Sequence, residues 1–268
     1  MMVCEKADLD YLKSHRLQYY ISEKFNGTRI LFLDNKLINR RKIDVSRKYP
    51  HIIKELKEQG MDNAILDGEM CVFDENGVSR LELVSRKENW NKAQFCIFDM
   101  IRDENGNMIK EKTLNARLMI LENSIIPSDF IKLVPHTLFN EEFVKKLETA
   151  KKEGFVAKLI KSPYLIDLDN PNSDIRSKYW LKFKFLIEYE VNILGYKNES
   201  GRGTHGGLIT NLGDVGLLSM KNLELYNKIK PKRAIIKGEA ELSPKGKIVK
   251  PILQAFITEK GEVRLCVI

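Results

Sequence analysis

The amino-acid sequence predicts an α+β protein in two parts: antiparallel sheets with flanking helices over residues 1–188, then a small all-β domain over 189–268. Three observations carry that prediction. Short runs rich in β-branched and aromatic residues recur through the first part, punctuated by Asn-Gly and Asp-Gly dipeptides. Stretches with apolar residues at helical spacing lie between them. Beyond Glu188 the helical stretches thin out while short strands continue, which places the boundary within 185–190.

The elements follow in order. Residues 19–25 (YYISEKF) alternate as a strand, with Ile21, Glu23 and Phe25 on one side and Ser22 and Lys24 on the other. Asn26-Gly27 comes next, a strong short-range signal for a hairpin turn, and 28–33 (TRILFL) is the following strand. Residues 49–59 carry Ile52, Ile53 and Leu56 on one side and stop at Gly60, a helix pattern. Strands are expected at 64–74 and 93–101, and helices at 114–121 and 140–152, the last with Phe143, Leu147 and Ala150 in phase. In the second part VNILGY, GLITNL, VGLLSM, RAIIKGEAEL and IVKPILQAFI read as strands, with one polar helix near 223–229. That many short strands in so short a segment suit a small barrel such as an OB-fold.

Composition narrows the class. With 268 residues and 43% hydrophobic content, the chain can bury one large core or two unequal ones. No apolar run approaches the ~20 residues of a membrane span, and no leader pattern precedes Tyr11. No membrane association and a cytoplasmic setting, prokaryotic or viral, are therefore expected. Cys4, Cys71, Cys96 and Cys266 stand singly, a pattern of reduced thiols rather than of disulfides or a zinc site. A net charge of +8 is compatible with a polyanionic partner.

Five segments carry candidate chemistry: K-F-N-G-T-R (24–29), N-R-R (39–41), L-D-G-E-M (66–70), F-D-M (98–100), and the pair E-G-F-V-A-K (153–158) and W-L-K-F-K (180–184). Singly, each has a plain structural reading, such as a strand carboxylate for Glu69 or a core aromatic for Phe98. Together they supply what nucleotidyl transfer to an amine requires. Lys24 is the nucleophile, and an amine attacks only after shedding its proton. Lys182 and Lys184, two residues apart on one strand face, are expected to crowd Lys24 and grip the phosphate. Arg29 and Arg40 are fork-shaped donors for phosphate or ribose oxygens. Glu69 and Glu153 offer hard oxygens to Mg²⁺ or Mn²⁺, and Phe98 offers a face for a purine.

Those motifs, in that order, resemble the covalent nucleotidyltransferase superfamily, and most closely the ATP-dependent DNA ligases. That family runs K-x-D-G-x-R, S-R, D-G-E, F-D, E-G-x-x-x-K and W-x-K-x-K; NRRKIDVSRKYPHI and Arg176 ahead of Trp180 are also similar to it. The resemblance implies an ATP-grasp-like nucleotidyltransferase domain followed by an OB-fold domain. It implies that Lys24 takes AMP from ATP as a phosphoramidate. Arg29, Arg40, Glu69, Phe98, Arg176, Lys182 and Lys184 would line the nucleotide pocket, with Phe98 stacked on adenine and Glu153 beside the metal. The implied substrate is nicked duplex DNA, and the implied enzyme a minimal two-domain monomer, since only 23 residues precede Lys24.

The chain departs from the family at several points. Asn26 stands where the family has Asp, which keeps an acceptor and loses a charge, and Ser22 stands where related archaeal-type ligases place Glu. The C-terminal motif is degraded, leaving Lys250 or Lys260 to replace its arginine. The glycine-rich stretch 199–213 resembles the loop of ligase OB domains, with Thr204 before His205. RNA end joining by the same lysyl-AMP chemistry, GTP-dependent capping, and an inactive nucleic-acid-binding domain remain open alternatives at this point.

Overall fold

The computed structural model describes residues 1–167, 174–197, 206–216, 219–239, 242–243 and 245–266. They form two compact units, Met1–Phe183 and Lys184–Ile268. The strands that begin in the first unit are β1 (Met2–Lys6), β2 (Tyr19–Glu23), β3 (Thr28–Leu33), β4 (Lys36–Asn39), β5 (Ile65–Cys71), β6 (Gln94–Arg102), β7 (Ile131–Leu133), β8 (Thr137–Leu138), β9 (Gly154–Leu159) and β10 (Ile175–Lys184). Its helices are α1 (Leu9–Ser14), α2 (Pro50–Glu58), α3 (Leu81–Ser85), α4 (Leu114–Ser124) and α5 (Glu141–Thr149).

The strands build two five-stranded sheets, ordered β1-β10-β9-β2-β8 and β4-β3-β5-β6-β7. Pairing is antiparallel for β2 with β8 and β9, and for β5 with β3 and β6; β1 with β10 and β6 with β7 are parallel. Alternation along the second sheet decides where each side chain goes. Ile30, Phe32, Leu66, Met70, Phe95 and Ile97 point to one face, where Ile52 and Leu56 of α2 and Leu114, Leu118 and Leu121 of α4 complete a core. The opposite face sends Leu31, Ile65 and Ile101 against Met2 of β1, Tyr164 and Trp180 of β10. That second layer joins the two sheets, and the polar residues interleaved with it lie between them.

Helix α2 ends as expected before Gly60, whereas α4 runs three residues past the expected 121 and α5 stops three short of the expected 152. Pro50 occupies the start of α2, and Gly60 beyond its end adopts φ 74°. Asn140 accepts from the Phe143 N–H at 2.7 Å to start α5. The Asn26-Gly27 turn is different from a hairpin: β2 and β3 lie in separate sheets and do not pair. The reason is local crowding. A Cβ on Gly27 would overlap the Met70 carbonyl and touch the Glu69 side chain, and the Asn26 N–H is taken by Ser79 Oγ at 2.8 Å. The dipeptide therefore carries the chain from one sheet to the other.

The second unit is an antiparallel sheet of β11 (Leu186–Lys197), β12 (Gly207–Thr210), β13 (Gly213–Val215), β14 (Arg233–Glu239), β15 (Ile252–Ile257) and β16 (Val263–Leu265). Their order is β13-β12-β11-β14-β15-β16. Val191, Leu208, Val215, Ala234, Ile236 and Phe256 form its core, with Leu223 and Tyr226 of α6 (Met220–Ile229) against them. Of the strand expected over 215–220, Val215 ends β13, while the Ser219 side chain accepts from the Asn222 N–H and starts α6. Residues 199–205 of the glycine-rich stretch, His205 among them, lie outside the described residues. No helix among the described residues is long and apolar enough to cross a membrane.

One buried ion pair anchors the first unit. Arg117 of α4 and Asp99 of β6 are both fully buried and meet through two bonds, at 2.7 and 2.9 Å. Nη1 donates to the carbonyls of Lys112 and Ser162, at 2.6 and 2.9 Å. Removing one partner strands a charge in the interior. Arg117→Ala should lower unfolding free energy by about 3–5 kcal/mol in urea titration, and the double change Arg117→Met with Asp99→Leu should cost clearly less.

Candidate active site

Lys24 follows the last residue of β2, and Glu153 precedes the first of β9. The β2–β9 register, with Glu23 opposite Phe155, brings those two ends together, and the Lys24 N–H continues the ladder to the Gly154 carbonyl at 3.0 Å. The side chains then meet: the Lys24 ammonium donates to Glu153 Oε2 at 2.6 Å. Lys24 is 22% exposed and Glu153 only 7%, so the amine is accessible while its carboxylate partner is held from below.

A cavity of about 100 Å³ opens beside the amine, lined by Ser22, Arg29, Glu69, Phe98, Lys158 and Trp180, among others. Arg29 and Glu69 face each other across β3 and β5. Arg29 is locked by Asp67, its Nε donating at 2.6 Å and Nη2 at 2.5 Å, and Tyr164 donates to the same carboxylate at 2.6 Å. Burial pushes the Glu69 carboxyl up to about 7, against the pull of Arg29 and Lys24. Phe98 does not present a bare face: the Arg29 guanidinium lies 4.7 Å and the Lys158 ammonium 4.3 Å from its ring centre. Lys158 also donates to the Phe98 carbonyl at 2.8 Å.

The other expected residues sit elsewhere. Arg40 is 58% exposed and bound to Asp174 at 2.8 Å; it borders a separate cavity of about 550 Å³ with Arg41, Lys48 and Tyr49 that shares Arg29 and Glu69 with the first. Lys182, half-buried on the Trp180 face of β10, pairs with Lys6 through the backbone and is not among the residues lining the small cavity. Arg176 is exposed and donates to the Cys4 carbonyl at 3.3 Å rather than entering the cavity. Lys184 belongs to the second unit, where Glu239 takes it at 3.0 Å and Lys250 at 2.5 Å. Burial opposes ionisation of Glu239, but the two ammonium groups outweigh it and hold its carboxyl below the usual range. The cations that line the small cavity with Lys24 are Arg29 and Lys158.

Several residues here escaped the sequence reading. Asp67 had a signal, lying two positions before Glu69 and so on the same strand face. Lys158 closes the E-G-F-V-A-K segment and Trp180 opens W-L-K-F-K, yet neither was assigned a role. Cys4 and Tyr164 carry no local signal, since β1 and the segment before β10 reach the site only through tertiary pairing.

Glu69 lines the cavity, and Glu153 offers a second hard oxygen beside the Lys24 amine. No cluster of three or more metal-ligating side chains occurs among the described residues. Two carboxylates with the rest of the shell left to water and phosphate suit Mg²⁺, and a carboxyl pushed upward by burial is one that a divalent cation would hold ionised. The residues fit the ion.

The model of the ATP dependent DNA ligase domain matches residues 1–184. Similar relatives include a DNA ligase of Methanococcus aeolicus, 30% identical over 67% of this chain and 34% of its own length. Another is the multifunctional non-homologous end joining protein LigD of Pseudomonas aeruginosa, 26% identical over 65% of this chain and 20% of its own. The chain thus spans about a fifth to a third of those relatives. Among solved structures, a Lig E DNA ligase described as binding DNA with a minimal scaffold superimposes with a TM-score of 0.63 at 18% identity, covering 98% of both chains. That likeness is one of fold.

Lys158 makes the site's electrostatics measurable. Burial lowers its ammonium from 10.5 to about 8, whereas the unfolded chain holds that proton to about 10.4. Between those values the unfolded state binds more protons, so stability should rise with pH. Unfolding free energy followed from pH 7.5 to 10.5 should show that rise in the parent protein and a flatter profile in Lys158→Met.

Proposed function

The chain belongs to the ATP-dependent DNA ligase domain family, and on that premise we propose that it is an ATP-dependent DNA ligase sealing nicks in duplex DNA through a lysyl-AMP intermediate. The observation that carries this reading is the Lys24 amine at the mouth of a buried cavity, gripped by Glu153 at 2.6 Å and faced by Arg29 and Glu69. Lys24 Nζ attacks the α-phosphorus of ATP; the new N–P bond replaces the bond to pyrophosphate, which leaves. Glu153 Oε2 is placed to accept the proton the amine sheds. Arg29, made rigid by Asp67, offers its guanidinium to the phosphate or ribose oxygens without further ordering cost. Glu69 and Glu153 are the residues that would hold Mg²⁺, which when bound supplies positive charge to the phosphates. The AMP then passes to the 5′-phosphate of the nick, and the 3′-hydroxyl displaces it.

The second unit is read as an OB-fold domain, supported by its short antiparallel strands and single helix. The chain is read as a cytoplasmic monomer that grips duplex through basic surface. RNA joining is the second reading, favoured by Asn26 in place of the family's Asp.

Three outcomes test this reading. With [α-³²P]ATP and Mg²⁺ the protein should acquire an acid-stable label, and Lys24→Ala should abolish it. A nicked DNA duplex should be sealed faster than the matching nicked RNA; the reverse order would transfer the assignment to RNA joining. Sealing should fall steeply between about 50 and 200 mM salt, by on the order of tenfold or more, because phosphate contacts release counterions.

A further inference from the structure

Two contacts from outside both ladders hold the chain on either side of Lys24. The β2–β9 ladder ends with the Lys24 N–H on the Gly154 carbonyl, and the β3–β5 ladder begins at Thr28 opposite Met70. Between them the Asn26 N–H goes to Ser79 Oγ at 2.8 Å, and Ser79 is 3% exposed. On the other side, Lys152 and Glu23, the residues just before Glu153 and Lys24, pair at 3.2 Å. The Lys152 ammonium also donates to the Gly77 carbonyl at 2.5 Å. Phe73 adds an apolar contact, its ring edge-on to Phe25 with centroids 6.0 Å apart.

Phe73, Gly77 and Ser79 belong to one hairpin, residues 73–80, closed by the Phe73–Ser79 bridge. Its shape is set from within. The Asp74 carboxylate accepts from the Asn76 and Val78 N–H groups, both at 2.9 Å, and from Arg80 Nε at 2.8 Å, an Asx-type closure. Neither the Ser79 hydroxyl nor the Gly77 carbonyl takes part in those bonds; both are turned to the neighbours of the Lys24–Glu153 pair. A reacting atom displaced by about 1 Å loses on the order of a hundredfold in rate. Holding the backbone around the amine therefore bears on the transfer step rather than on affinity for the nucleotide.

We propose that the 73–80 hairpin is a clasp that aims the Lys24 amine, with Ser79 and Lys152 as its positioning residues. The inference rests on the lysyl-AMP reading and adds to it what holds the nucleophile in place. Ser79 fixes the backbone two residues beyond Lys24. Lys152 ties Glu23, the residue before Lys24, to the hairpin, and is itself the chain neighbour of Glu153. Neither Ser79 nor Lys152 lines the cavity beside the amine, so loosening either tether leaves the cavity walls in place and lets the amine drift from Glu153.

The test is the initial rate of Lys24 labelling against ATP concentration, with the folded fraction of each variant checked by circular dichroism at the assay temperature. Ser79→Ala and Lys152→Met should each lower the maximal rate about tenfold, while the KM for ATP stays within about twofold. Ser79→Thr, which keeps the hydroxyl, should recover most of the lost rate. An unchanged maximal rate in either folded variant, a raised KM in place of a lowered rate, or no recovery in Ser79→Thr overturns the inference while labelling of the parent enzyme still supports the ligase reading. Should Ser79→Ala fail to fold, Lys152→Met decides alone. Absence of label on the parent enzyme overturns both.

Discussion

Lys24 and Glu153 are 129 residues apart and meet at 2.6 Å because two antiparallel strands end side by side. Everything else in the candidate site is arranged around that meeting. The ladder continues one residue past β2, from the Lys24 N–H to the Gly154 carbonyl, so the backbone of the amine-bearing residue is as fixed as a strand interior. A one-residue slip in that pairing would turn Lys24 to the face where Phe155 packs. The nucleophile's position is thus a matter of register, which the buried side chains on either side of β2 and β9 enforce.

The second constraint is charge kept inside. Arg29, Asp67, Glu69, Asp99, Arg117 and Lys158 occupy the interior of one unit, and they divide by how well they are satisfied. Arg117 and Asp99 are fully paired and serve the fold. Arg29 and Asp67 are paired too, but the guanidinium faces the cavity, so a structural pair also points a binding group. Glu69 and Lys158 are the strained members, each shifted toward its neutral form by burial. Both line the same cavity as Lys24, so the perturbed groups gather beside the amine.

Much of this was legible in the sequence, and the limits have physical reasons. Helices α2 and α5 were readable because their apolar spacing and caps are local, Gly60 and Asn140 above all. Lys24, Arg29, Glu69, Phe98 and Glu153 were readable as a set because ordered motifs fix chemistry that no single segment would. Alternation gives the face of a strand and not the partner found there, so nothing in the sequence pointed from Lys184 to Glu239, 55 residues on. Arg176 is likewise a strand residue turned to solvent. Asn26-Gly27 was readable as a turn but not as a passage between sheets, since pairing partners of β2 and β3 come from far along the chain. Tyr164 and Cys4 had no signal at all.

Gly27 has a consequence of its own. Its missing methyl is the clearance that lets the strand bearing Lys24 and the strand bearing Arg29 belong to different layers while staying two residues from a shared turn; a Cβ there would run into the Met70 carbonyl. Any larger residue there would have to push the turn away from the strand that carries Glu69, and with it the short tether between nucleophile and guanidinium.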